Sequence, residues 1–265
     1  MHGAQTLKGK RHMKVAVFGA GGRMGAEVCR SVRADVALEL VAAVDPFRVG
    51  VEVEGVVIAG DTSAVLAAGS EVAIDFTTHD ACMGNLRWCS ANSIHAIVGT
   101  TGFSATDIEE LRGLFTKSNC LIASNFAIGA VLMMRFAEIA APFFETAEII
   151  EYHHDAKIDA PSGTAMSTVA RMAAAKDSWA PDPTKIEQLP GARGGKGAAD
   201  IRVHSVRMRG VVANQEVILG TTGQTLVIRH DTTDRTSFMP GVMLAVKRIA
   251  DFPGVTIGLD SFLNL

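Results

Sequence analysis

Five short apolar runs, 14–19, 38–45, 71–77, 95–100 and 120–126, alternate with stretches of helical spacing through the first half of the chain. Runs of this length read as strands buried on both faces, and segments 22–34, 79–92 and 104–118 read as the helices that cover them. The last of these has a clear start, with Ser104 as N-cap and Asp107 and Glu109 near the positive helix end. Strands alternating with helices build βαβ units, so the expected fold is α/β with a Rossmann-like parallel sheet.

The pattern changes after a helix over 129–144. Strand runs at 148–154, 199–208, 215–220 and 224–231 are separated by Gly-rich turns, with helices only after Pro161-Ser162 and over 238–250. These runs predict a second, α+β domain on a mixed or antiparallel sheet with one half-exposed face. The expected division is residues 1–126 with 236–265 for one domain and 127–235 for the other. Residues 1–12 are expected to be a disordered extension, with His2 and His12 as tail residues, and 189–200, rich in glycine, to be a mobile loop.

Composition narrows the partners. With 265 residues, 48% of them hydrophobic, the chain can bury a sizeable core, and a net charge of −3 gives no general attraction to nucleic acid or anionic membrane. No apolar stretch reaches the ~18–20 residues that span a bilayer, and the first twelve residues lack the apolar core of a secretory signal. Cys29, Cys82, Cys89 and Cys120 have no Cys-x-x-Cys spacing, so they read as reduced core residues of a cytoplasmic protein.

Where the first strand meets the first helix stands VFGAGGRMG, with Gly19, Gly22 and Gly25 at spacings of three and Gly21 between. Glycines here permit backbone angles that a Cβ disfavours and let a pyrophosphate reach main-chain N–H groups at a positive helix end. Gly19, Ala20, Gly21, Gly22, Arg23 and Met24 are therefore the expected pyrophosphate site. Asp45, twenty residues after Gly25 at the end of the second strand, suits the adenine-side ribose of a dinucleotide. A carboxylate there accepts from a 2′-hydroxyl and repels a 2′-phosphate, an effect that Arg48 partly offsets. NADH is thus expected to serve at least as well as NADPH. VGTTG (98–102) ends another strand on the ligand-binding edge, where it suits either a nicotinamide ribose or a plain turn. Asn125, in the ASNF run (123–126), suits a carboxamide or a cap on the next segment.

The most polar run is EYHHDAKIDAPSGTA (151–165), which admits a metal site, an acid, a phosphate cradle or a solvated turn. Adjacent His153 and His154 on a strand point to opposite faces and do not readily chelate one ion, so no metal is expected. Pro161 breaks the strand, Ser162 is a good N-cap, and Ala165, Val169 and Met172 form an apolar stripe. Gly163 and Thr164 then offer N–H donors at a helix end, which fits a carboxylate. A histidine titrating near neutral pH and Lys157 lie just upstream, and the pairing of hydride and proton donors implies reduction of a C=C, C=N or C=O bond. A capped helix with surface His and Lys is the bland alternative.

GAGGRMG, IDFT (74–77), VGTTG and above all HHDAKIDAPSGTA (153–165), with RVHSVR (202–207), QTLVIRHD (224–231) and FMPG (238–241), resemble the 4-hydroxy-tetrahydrodipicolinate (dihydrodipicolinate) reductases of bacterial diaminopimelate and lysine biosynthesis. The resemblance runs from Lys14 to the C-terminus. It implies an NAD(P)H-dependent oxidoreductase that reduces a cyclic imine dicarboxylate, with His153 as catalytic acid/base and Lys157 as a proton donor. His154, Gly163 and Thr164 would bind the dicarboxylate. Gly99, Thr100, Thr101, Ala123, Ser124, Asn125 and Phe126 would surround the nicotinamide half. It also implies a last segment folded back onto the cofactor domain and a homotetramer built through the second domain's sheet. Members that use NADPH freely often carry an arginine directly after the ribose acid; here that residue is Pro46. The rivals are another NAD(P)-dependent amino-acid dehydrogenase, which lacks the His-His-x-x-Lys run, and an NADH sensor, which needs no acid.

Overall fold

The computed structural model describes residues 12–265. The extension expected at 1–12 lies outside the described residues, except for His12, which is exposed. The chain forms two compact units: the described residues through Ser124 with Met239–Asn264, and Asn125–Phe238.

The first unit begins with β1 (Met13–Phe18), α1 (Arg23–Ala34) and β2 (Leu38–Val44), followed by a small hairpin of β3 (Glu52–Val53) and β4 (Val56–Val57) and by α2 (Ser63–Ala67). It continues with β5 (Val72–Asp75), α3 (His79–Ala91), β6 (His95–Val98), α4 (Ala105–Leu114) and β7 (Cys120–Ile122). The second unit holds α5 (Ile128–Ala140), β8 (Thr146–His153), α6 (Gly163–Ala175), β9 (Gly195–Lys196), β10 (Arg202–Arg207), β11 (Ala213–Thr221) and β12 (Gln224–Thr232). The chain then returns to the first unit as α7 (Met239–Arg248) and β13 (Val255–Ile257).

In the first unit six parallel strands lie in the order β13-β7-β6-β5-β1-β2. The strand order reverses between β1 and β5, which opens the crevice where doubly wound sheets bind ligands. Short apolar runs suit this sheet because both faces are covered: Val15, Ala16, Val17, Val72, Ile74, Ile97, Val98 and Leu121 are all essentially inaccessible. α4 starts as its sequence indicates, with Ser104 and Asp107 forming a reciprocal capping box. The hairpin, α2 and β13 were not anticipated. They are two to five residues long, too short to show a period, and β13 is identified by its parallel pairing with β7.

The second sheet is mixed, in the order β12-β11-β8-β10-β9, with β8 and β10 parallel and the other neighbours antiparallel. Residues 189–200, expected to be a loop, contain β9, which pairs with β10 through Gly195 and Lys196. Arg193 holds that segment by ion pairs to Glu148 and Asp182, 2.6 and 3.2 Å away, which glycine content alone does not reveal.

Candidate active site

In the first unit the glycine-rich turn forms at the end of β1. Gly19 has φ +71°, and a Cβ on Gly25 would stand 2.0 Å from the Gly19 carbonyl oxygen, so α1 crosses the turn at a distance only glycine permits. Gly22 is the N-cap of α1, and no side chain caps the helix, so its first N–H groups lack an intrahelical acceptor. This is the geometry a dinucleotide pyrophosphate requires. Asp45 is nearly buried beside it; its carboxylate accepts from the Gly21 N–H at 3.1 Å and the Phe47 N–H at 3.0 Å. The Arg48 side chain lies over Gly21, where a Cβ would meet its Cγ at 2.4 Å. The acid and the turn are therefore one bonded assembly, which fits the adenosine half of NAD(P)H.

The remaining cofactor candidates divide. Gly99 faces the Phe76 ring so closely that a Cβ would stand 2.0 Å from Cε1. Thr101 is exposed, whereas Thr100 is buried and its hydroxyl donates to Asp75 at 3.2 Å. Asp75 is itself buried and accepts from the Thr77 N–H and hydroxyl and from Asn85. Thr100 is thus committed inward, and Asp75 organises the strand ends. Ser124 is exposed and Ala123 and Phe126 are core residues. Both ends of the Asn125 amide are engaged: Oδ1 accepts from the Ala127 N–H at 2.8 Å, and Nδ2 donates to Thr164 Oγ1 at 3.2 Å. The first of these bonds is an Asx-turn ahead of α5, whose N-cap is Ala127 with no side-chain cap, so Asn125 does not cap that helix.

In the second unit, a cavity of about 40 Å³ is lined by His153, Thr164, Asn125, Ser162, Gln215 and His230, among others. Ser162 caps α6, its hydroxyl accepting from the Ala165 N–H at 3.2 Å, while Gly163 and Thr164 form the first helical positions. Their N–H groups have no acceptor inside the helix. Burial of Ala165, Thr168, Val169 and Met172 anchors the helix by one stripe, which fixes where its positive end lies. The peptide Ala160–Pro161 is cis.

His153 is the last residue of β8, and His154 follows the strand and is exposed. Lys157 is bound by both oxygens of Asp159, at 2.7 and 2.8 Å, so an incoming carboxylate must compete for it. His153 Nδ1 lies 2.5 Å from Glu151 Oε2, and Glu151 is fully buried. Burial alone would raise the Glu151 carboxyl, but the Arg207 guanidinium, with hydrogen bonds from Ser205 and His153, holds it below the usual range. Burial pushes His153 below its ordinary 6.5, against the upward pull of Glu151. Sequence reading missed Glu151 and Arg207. Residues two apart in a strand share a face, so the Glu-x-His spacing carried the signal for Glu151, but nothing local marks Arg207. Among the described residues, no group of three or more His, Cys, Asp or Glu side chains could hold a metal ion.

Two family profiles match the chain: "Dihydrodipicolinate reductase, N-terminus" over residues 13–126 and "Dihydrodipicolinate reductase, C-terminus" over 129–263. The 4-hydroxy-tetrahydrodipicolinate reductase of Cutibacterium acnes is 49% identical over 260 residues, covering 96% of this chain and 99% of that one. The protein of the same name from Nocardia farcinica is 50% identical over 261 residues, with the same coverage. A dipicolinate-bound dihydrodipicolinate reductase from Paenisporosarcina sp. TG-14 superposes with a TM-score of 0.86 at 35% identity, covering 95% of this chain and 99% of that one. An amine dehydrogenase from Mycobacterium smegmatis, at 12% identity and TM-score 0.62, shares the fold alone. By its two matched halves and its nearly full-length relatives, the chain belongs to the dihydrodipicolinate reductase family.

Proposed function

We propose that this chain reduces 4-hydroxy-tetrahydrodipicolinate, through its dehydrated cyclic imine, to tetrahydrodipicolinate at the expense of NAD(P)H, in diaminopimelate and lysine biosynthesis. The observation that carries this is identity of 49–50% across almost the whole length of reductases bearing that name. It is an oxidoreductase, and its substrate is a small dicarboxylate, in keeping with the relative that holds dipicolinate.

The described residues through Ser124 with Met239–Asn264 serve as the dinucleotide domain, and Asn125–Phe238 as the substrate and assembly domain. Gly19 to Met24 hold the pyrophosphate, Asp45 the adenine-side ribose, and Gly99, Thr101 and the 123–126 segment border the nicotinamide half, with Thr100 supporting them from below. When bound, the nicotinamide supplies a hydride to a ring carbon. His153 supplies the proton to the neighbouring carbon, with Lys157 as a second donor that also attracts the anion. Gly163 and Thr164 N–H groups at the positive end of α6 hold one carboxylate, and exposed His154 supports it. The uncapped α1 turn and the hydrogen bond between His153 Nδ1 and Glu151 support this assignment. No described helix is long and apolar enough to cross a membrane, and the four cysteines are free and buried, in line with a cytoplasmic enzyme.

Asp45 sets the cofactor reading: its carboxylate, next to Pro46 in place of an arginine, favours the 2′-hydroxyl. The test is oxidation of NADH and NADPH with the freshly made product of dihydrodipicolinate synthase as substrate. Turnover is expected with both, with NADH at least as effective by kcat/KM. No turnover defeats the reductase assignment, and preference for NADPH by about tenfold, or 1.4 kcal/mol, defeats the reading of Asp45.

A further inference from the structure

Glu151 is a buried carboxylate with every oxygen engaged. Oε2 meets His153 Nδ1 at 2.5 Å and Arg207 Nη1 at 2.9 Å; Oε1 accepts from Arg207 Nη2 at 2.8 Å and from the Ser162 N–H at 3.3 Å. Arg207 Nη2 also donates to the Asp159 carbonyl at 2.7 Å. One charged pair thus touches the last residue of β8, the Asp159 backbone before Pro161, and the N-cap of α6. A solvated surface pair would not be built this way, because a fully buried charge costs stability unless it is paired and hydrogen-bonded throughout.

The pairing fixes a proton. A carboxylate that receives a bidentate guanidinium is ionised and acts only as an acceptor, so His153 Nδ1 must carry hydrogen. Nε2 is then the nitrogen that gains and loses the catalytic proton. We propose that Glu151 and Arg207 are a positioning pair for the reaction: they hold His153 in the Nδ1–H tautomer and tie it to the helix end that binds the substrate carboxylate. Proton donor and anion site are thereby kept in one geometry. Neither residue touches substrate; both act through His153 and Ser162. The inference rests on His153 being the proton donor.

The titratable and charged groups around His153 are Glu151 on its own strand, Arg207 on β10, Lys157 in the following segment, and His230 across the cavity. Of these Glu151 alone is an anion, so its removal lowers the pKa of His153. The protonated donor is lost as pH rises through that pKa, so the alkaline limb of the rate moves to lower pH.

Three measurements test this together. Long-range ¹H–¹⁵N correlation on the folded wild-type protein should show His153 protonated on Nδ1 in its neutral form; an Nε2–H tautomer overturns the proposal whether or not variants fold. Glu151→Gln should lose a large part of the roughly 10²–10⁴-fold that general acid catalysis contributes, shift the alkaline limb downward, and leave NADH affinity unchanged. Wild-type kcat with an unmoved limb overturns it. His153→Gln run in parallel separates the two ideas: an active His153→Gln defeats the proton-donor reading, whereas an inactive one beside a fully active Glu151→Gln defeats only the positioning pair.

Discussion

His153 and Lys157 differ in what surrounds them, and the expected effects of their loss differ accordingly. His153 is held by a buried anion and lines the cavity with Thr164. His153→Gln should therefore lower kcat by about 10²–10⁴, with NADH binding unaltered by fluorescence titration. An unchanged kcat removes His153 from its role. Lys157 is paired with the exposed Asp159, so its charge is available only by exchange of partners. Lys157→Ala should raise KM for the dicarboxylate and lower kcat as well; if neither constant moves in steady-state assays, Lys157 is no part of the anion site. Both residues were recognisable by type and spacing. The Glu-x-His spacing puts Glu151 on the face of His153, but Arg207, the partner that fixes it, lies 56 positions away and has no local mark.

Elements whose ends are written in a few adjacent residues were the most legible. The capping box at Ser104 and the N-cap at Ser162 form as their sequences indicate, because a side-chain oxygen needs only to reach an N–H three residues on. Ser104→Ala removes that acceptor and should destabilise the protein by about 1 kcal/mol, seen as a fall in Tm of about 2–4 °C. A melting temperature that does not change would mean that α4 is held by its packing through Leu111 and Ile108 and its ion pair to Arg87, not by its cap. The run 199–208 was less legible: residues 198–200 make a tight turn with Ala199 and Asp200 at positive φ, and strand β10 begins only at Arg202. Apolar alternation marks where a strand can run; the pairing of Arg202 with Lys196 and Glu148 marks where it does.

At the scale of the whole molecule, β12 is a nine-residue edge strand with Leu226 and Val227 exposed by 37% and 52%. An edge strand that exposes adjacent apolar residues is a liability unless another chain covers it, and we propose this sheet as the seam of the homotetramer that the family resemblance implies. Light scattering should give a mass near four chains, and Leu226→Lys with Val227→Lys should yield smaller species; a monomeric wild type ends that proposal. The sequence alone determined the longer helices and strands, the glycine turn with Asp45, and the polar run that names the family, since each depends on periodicity or spacing within about twenty residues. Tertiary structure decided that β13 completes the parallel sheet beside β7, that Thr100 turns inward to Asp75, and that Arg207 clamps Glu151 beneath His153. Those outcomes depend on which distant segments meet and in what register, and short-range patterns do not carry that information because a strand offers the same backbone donors and acceptors to any partner.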